Sequence, residues 1–431
     1  MLRNFVKYVS QNIFGMIGVS VYILADTYFI SVAEGADGIT ALNLALPLYG
    51  VIYGTGAMIG VGAATRYALL KAEGDREADD FFVNAALWEL ILSIPIMACG
   101  LFAAGPILRL MGADAAIEAL GAGYVRIILT AAPLFMVNYV FTAFVRNDGD
   151  PSRAMAATIA GSIFNIIFDY VFMFIFGWGL KGAAMATVGA PVTGIIIAGT
   201  HFWSRSNTIS VKWSRPKPKI LAKSCQLGVS GFIGEMSSAV TTVVFNFLLL
   251  GLMGNVAVAA YGVVANMALV AVAIFNGVAQ GSQPLISESY GKSRIKEAHT
   301  YFNMGVALAT GIAIALVVLA WTCTKPMVAI FNSEGNAGMA ALAYDALRLY
   351  FLGYLFAGFN ITATGYMSAI GLAREAFIAS LLRGLVAIVG CACIMAAAFG
   401  ITGVWLSFAA AELITAVYVT IAVRPRKVMA E

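Results

Sequence analysis

Of the 22 acidic residues in this 431-residue chain, Asp26, Glu89, Asp169, Glu235 and Glu412 fall deep inside long apolar stretches. A carboxylate at the centre of a membrane helix costs at least about 2.5 kcal/mol, so each of the five requires a partner, a proton or a cation. Asp26 and Asp169 carry the strongest signal. Asn165 precedes Asp169 by four residues and shares its helix face, and Thr187 follows just across the short turn GWGLKG. Two carboxylates, an amide and a hydroxyl suit an oxygen-rich site for a cation or a proton. The alternative is a set of helix-to-helix polar contacts that bind nothing.

The remaining candidates are more isolated. Glu235 reads equally as a carboxylate of a substrate cavity and as a structural contact. Glu89 and Arg383 stand at similar depths, so they could pair with each other, and Glu412 is expected to matter less for coupling than the two aspartates. Met58, Met173, Met236 and Met267 could line an adaptable pocket or simply pack. Other chemistries find no foothold. Cys99, Cys225, Cys323, Cys391 and Cys393 form no CxxC, and His201 and His299 are the only histidines, so no metal cluster is expected. GKS at Gly291–Ser293 lacks the earlier glycine of a phosphate loop, Ile286 standing there instead. The spans hold no lysine and no catalytic constellation, so no enzyme and no cofactor are expected.

These residues need membrane helices to position them. The chain is 61% apolar and 11% charged, against roughly 45–50% and about 25% in soluble domains. About twenty residues cross the hydrocarbon core, which predicts an all-α integral membrane protein with about twelve spans: 10–33, 39–66, 81–105, 120–144, 154–177, 182–203, 224–250, 257–286, 299–322, 341–370, 376–398 and 402–423. The first is too long for the apolar core of a signal peptide and is read as a retained span. Twenty of the 26 Lys and Arg residues fall at one set of loops and ends, including Lys217 in the central connection and Lys427 near the C-terminus. The rule that cations stay inside therefore puts both termini in the cytoplasm. The surplus charge speaks to membrane orientation, not to nucleic acid.

The halves of the chain resemble one another. At an offset of 217, Gly60, Val61 and Gly74 match Gly277, Val278 and Gly291; at 222, Arg126, Asn138, Gly149 and Ala154 match Arg348, Asn360, Gly371 and Ala376. The expected organisation is two pseudo-symmetric six-helix bundles, residues 1–203 and 223–431, joined by a basic, proline-containing cytoplasmic linker at 204–222. Such repeats place substrate between the halves. Arg126 and Arg348 are expected at equivalent positions.

The segments YILADTYFIS, GVGAATRYALLKAEGD, FVRNDGDPSRA and NIIFDYVFMFIFGWGLKGAAMAT together resemble the multidrug and toxic compound extrusion (MATE) family, and its prokaryotic branch with coupling acids in the N-terminal half. The resemblance covers essentially the whole chain. It implies two bundles around a V-shaped cavity, and export of drugs or other amphipathic organic cations by alternating access in exchange for H⁺ or Na⁺, from a monomer in a prokaryotic inner membrane. By the same resemblance Asp26, Asn165, Asp169 and Thr187 form the coupling site, where Na⁺ could sit, with Tyr124 and Asn138 beside it. Many members carry a proline early in helix 1, where this chain reads VSQNIFG, so bending that depends on proline is not expected. The site of another branch, an acid in helix 7 with an aspartate in helix 10, is matched poorly by Glu235 and Asp345. A flippase or exporter of a lipid-linked precursor or endogenous metabolite is the alternative function; it would require a cationic cavity.

Overall fold

The computed structural model describes residues 1–331 and 336–423. Lys427, one of the cations that set the orientation, lies outside the described residues, as does the end of the 223–431 segment. Apolar length alone builds α1 (Leu2–Gly35), α2 (Asp37–Glu73), α3 (Arg76–Leu110), α5 (Pro151–Ile175), α6 (Gly179–Trp203), α7 (Pro218–Met253), α8 (Asn255–Gly291) and α9 (Ile295–Thr322). Between α3 and α5, α4 (115–147) crosses as two pieces, Ala115–Thr130 and Ala132–Asn147, bent by 44°. After a short helix, Thr324–Phe331, α10 (337–369) is likewise divided into Ala337–Phe351 and Tyr354–Ala369. The last stretch, Ala373–Ala422, folds back at Gly400 (φ 59°) into α11 (373–399) and α12 (401–422). These twelve spans match the expected set; the first eight each begin before the expected span, and α5 ends two residues short of it. No proline interrupts α1.

The repeat is written into the helix ends. The two pieces of α4 begin at Ala115 and Ala132, those of α10 at Ala337 and Tyr354, and α5 and α11 at Pro151 and Ala373, each pair 222 apart. The caps repeat too. The Asp114 carboxylate accepts from the Ile117 amide at 2.9 Å, and the Asn336 side chain accepts from the Met339 amide at 3.0 Å. Gly35 and Gly254 make the α1–α2 and α7–α8 corners with matching left-handed φ values of 63° and 71°, which a Cβ would oppose. Arg126 and Arg348 occupy the same register, twelfth in their helices. Arg126 is exposed beside Leu101 and Leu134, whereas Arg348 Nε donates to Thr324 Oγ1 at 3.2 Å.

The large apolar cores separate by half, while Leu69, Leu227 and Ala373 cluster across the two. One core runs from Phe245 to Val419 and takes in only Phe5 and Val9 from the start of α1; two others gather residues between Ile30 and Ile220. The halves meet through glycines at the end that carries the linker. A Cβ on Gly228 would run into the Met58 carbonyl, one on Gly62 into the Ser224 carbonyl, and ones on Gly277 and Gly281 would lie 2.7 Å from the Cα atoms of Ile13 and Val9. The hydrogen bonds seen across this seam sit at the same end: Gln283 Nε2 to Thr65 Oγ1 (2.7 Å), Arg146 to Gln280 Oε1 (3.0 Å), Arg66 to Gln226 Oε1 (3.5 Å) and the ion pair of Lys223 Nζ with Glu77 Oε2 (2.5 Å).

The linker is exposed along most of its length, yet it is tied to the first half. Asn84 Nδ2 donates to Ser214 Oγ and its Oδ1 accepts from the Lys217 amide, each at 2.7 Å. Asp148, at the end of α4, anchors the other portion. Its side chain is 1% exposed and accepts from Tyr67 (2.7 Å), Lys71 (3.0 Å) and the Thr208 amide (2.7 Å) and hydroxyl; His201 Nε2 lies 2.8 Å away. Burial alone would raise the Asp148 carboxyl, but the hydrogen bonds from His201, Thr208 and Tyr67 outweigh it and hold the group below its ordinary value. The stability this gives is complete above about pH 4 and is lost as acid titrates the folded carboxylate. Asp148→Ala should therefore cost on the order of 3 kcal/mol and free the linker, read as much faster tryptic cleavage at Arg205 and Lys212 at pH 7, while the parent protein resists equally at pH 6 and pH 8.

Candidate functional site

The acidic cluster lies where α1 packs against α5, with α6 behind. Small residues allow the approach: Gly18 faces Ser162 across α1 and α5, and a Cβ on Gly161 would come within 2.8 Å of the Ala190 carbonyl on α6. Asn165 and Asp169 are fully buried on one face of α5, immediately before a π-turn at Val171–Ile175. In one orientation the Asn165 amide donates to Thr187 Oγ1 at 3.3 Å. Turned over, it donates to Asp169 Oδ2 at 3.1 Å and accepts from the Thr187 amide at 3.2 Å, which satisfies both ends of the side chain. Thr187 in turn donates to the Ala183 carbonyl at 2.9 Å.

Asp26 reaches the same site from α1. It is 8% exposed, close enough to Asp169 for each carboxyl to sense the other, and Asp26 Oδ1 and Asp169 Oδ1 are both without a hydrogen-bond partner. Among the described residues no Lys, Arg or His lies within ion-pair distance of either. The arrangement presents acceptor oxygens with their positive complement missing. Protons or one small cation would supply it.

Tyr124 is buried beside the acids, its hydroxyl 2.9 Å from that of Tyr49. From there aromatic rings continue through Tyr53 to Tyr139, with centroids 5.5 and 6.1 Å apart, and Tyr22 on α1 lies within electrostatic reach of Asp26, Asp169 and Glu235. Of this tyrosine wall only Tyr124 was expected from the sequence, although Tyr49 and Tyr53 stand four apart on one helix. Asn138 is brought against Gly194 on α6, its Oδ1 unpartnered. The methionines are dispersed: Met173 belongs to the first-half core, Met267 packs on the second-half core, and Met58 and Met236 line the α2–α7 contact. Asp345 is exposed on α10.

Two charges stand elsewhere than the sequence suggested. Arg383 pairs with Glu412 (2.7 Å) and not with Glu89, because α11 and α12 are neighbours in the second half; Asn360 Nδ2 adds a 2.8 Å bond to the same carboxylate. Arg146, expected from the sequence to be one of the twenty cations of the loops and ends, is buried, with its guanidinium between Asn12 Oδ1 (2.8 Å) and Gln280 Oε1. Its place in FVRNDGDPSRA at a helix end gave no sign of this.

The profile of the MatE family matches the chain twice, over residues 12–171 and again over 232–393. The chain belongs to the MatE family. Its members are transporters, and this one is a multi-pass membrane transporter. It is 27% identical over 401 residues to the multidrug export protein MepA of Staphylococcus saprophyticus, and equally to that of Staphylococcus aureus, spanning 92% of this chain and 87% of each relative. Its fold superposes with a TM-score of 0.91 on a multidrug resistance MATE family transporter in an outward-facing conformation, 25% identical over 97% of this chain and 94% of that one. It is similar also to a Pyrococcus furiosus transporter described as having reversed polarity in its binding pocket (TM-score 0.90, 25% identity, the same coverage).

In this MatE transporter the Arg383–Glu412 pair has a structural signature. Arg383→Leu alone strands a buried carboxylate and should lower stability by about 3 kcal/mol, while Arg383→Leu with Glu412→Gln should recover most of it. Thermal unfolding of the three proteins in one detergent measures the difference.

Proposed function

We propose that this transporter exports drugs or other amphipathic organic cations across a prokaryotic inner membrane, in exchange for H⁺ or Na⁺ bound at Asp26, Asn165, Asp169 and Thr187. The observation that carries the reading is the pair of buried carboxylates with no protein cation, facing a wall of tyrosines. Aromatic faces attract organic cations, and the carboxylates attract either these or the coupling ion. The names of the staphylococcal relatives support drug export. Residues 1–203 and 223–431 act as two bodies that rock about the linker. With the basic loops inside, both termini are cytoplasmic, and the form described above is closed toward the cytoplasm at the glycine seam. Asn138 and Tyr124 support the acids, Glu235 and the methionines beside α2 and α7 border the substrate path, and the protein works as a monomer with no cofactor.

Coupling follows from charge. When both aspartates are ionised at membrane depth they demand a counter-charge, and neutralising them favours a different packing of α1 on α5. A ligand shifts such an equilibrium only by its differential affinity for the two states, so the site must differ between inward- and outward-facing forms. A lipid-precursor flippase fits less well. Arg146 is enclosed in the seam and Arg383 is neutralised by Glu412, which among the described residues leaves no cationic chamber for a pyrophosphate.

Asp26→Asn and Asp169→Asn should each insert and fold yet lose at least tenfold in gradient-driven efflux of ethidium from proteoliposomes, with pH and Na⁺ gradients imposed separately. Full efflux by both variants, with the ion response intact, would move the coupling site elsewhere, Glu235 first.

A further inference from the structure

We propose that Glu89 is a proton-binding site separate from the Asp26–Asp169 cluster, loaded while the halves are closed at the linker end and emptied when they part there. The release step rests on the rocking motion proposed above; the loaded site does not.

Glu89, on α3, is completely buried, and neither of its carboxylate oxygens has a hydrogen-bond partner. Among the described residues it makes no ion pair. The groups that face it from the neighbouring helices are few. From α2 comes the backbone N–H of Gly60, which points its way without reaching hydrogen-bond geometry. From α7 comes the Cys225 thiol, and from α4 the Tyr139 ring, which also senses Arg146 and Glu235. None of these places a positive charge against the carboxyl. An ionised Glu89 would have neither water nor a counter-ion, a state that buried carboxyls escape by taking a proton.

The walls of this pocket are the parts that must move. Gly60 belongs to a π-turn, Ala57–Val61, which interrupts the regular hydrogen bonding of α2; such turns often mark functional positions. Met58 and Gly62, within and just after that turn, are the residues pressed against Gly228 and the Ser224 carbonyl of α7, and Cys225 is the next residue along. Glu89 therefore sits directly behind the seam between the halves. Withdrawal of α7 removes its cover on one side and admits water from the linker end, where the carboxyl can ionise and release its proton. The sign follows from linkage: the closed form binds one proton more than the open form, so raising pH favours opening and lowering it favours closure. At its limit one such proton shifts the open-to-closed ratio tenfold per pH unit.

Two measurements on the full-length protein in lipid nanodiscs test this. Infrared spectra of protein carrying ¹³C-carboxyl glutamate should contain a protonated-carboxyl band at neutral pH that is lost in Glu89→Gln. Spin labels at positions 73 and 296, attached through encoded keto amino acids so that the native cysteines stay, should report a linker-end distance whose open fraction rises at least fivefold from pH 6 to pH 8. In Glu89→Gln, which mimics the protonated side chain, the rise should fall by at least half and the closed form should dominate. An infrared signal showing Glu89 ionised, or a variant whose pH profile superimposes on the parent's, overturns the proposal. A distance that never changes with pH or added ethidium removes the rocking motion and the release step with it, and the infrared band then separates that failure from a failure of the site.

Discussion

Water is absent from the hydrocarbon core, and every charge placed there must find its complement within the protein or carry none. The fold is organised by how this requirement is met. Among α10, α11 and α12 it is met internally: Glu412 is neutralised by Arg383 and held by Asn360, whereas Glu235 on α7 makes no ion pair among the described residues. In the first half it is left unmet. Asp169 takes a hydrogen bond from the turned Asn165 amide and Asp26 Oδ1 takes none, and neither carboxyl has a cationic partner among the described residues.

The asymmetry is sharper because the two halves share one backbone plan. Asp26 precedes the Gly35 corner by nine positions, and nine positions before the equivalent Gly254 stands Phe245, fully buried against Tyr261. A duplicated scaffold thus carries a buried acid at this position in one half and an apolar core in the other. In the transport cycle proposed above, one half with an apolar core at this position and one with unpaired acids form a natural pair for coupling ion occupancy to shape.

Much of this was readable in the sequence because the signals are local or periodic. Apolar length located the spans, the four-residue spacing of Asn165 and Asp169 put them on one face, and the 222-residue offset anticipated the matched starts of α4 and α10. What was unreadable depends on which helices are neighbours. Composition could not tell whether Arg383 would meet Glu89 or Glu412, since both acids lie at suitable depths. Nor could it distinguish Arg146, buried across the seam, from the exposed loop cations near it. The bends within α4 and α10 and the π-turns of α2, α5 and α11 leave no mark in a hydropathy window, because they alter hydrogen bonding without altering residue type.

The central claim is that the first-half acids hold a cation or proton that an organic cation displaces. Calorimetric titration of ethidium into the purified transporter, in two buffers of different ionisation enthalpy and with and without Na⁺, measures that exchange directly. The account predicts that binding releases a substantial fraction of one proton, or weakens several-fold with rising Na⁺, and that Asp26→Asn abolishes the effect. Binding heats and affinities indifferent to buffer, pH and Na⁺ in the parent protein would contradict it.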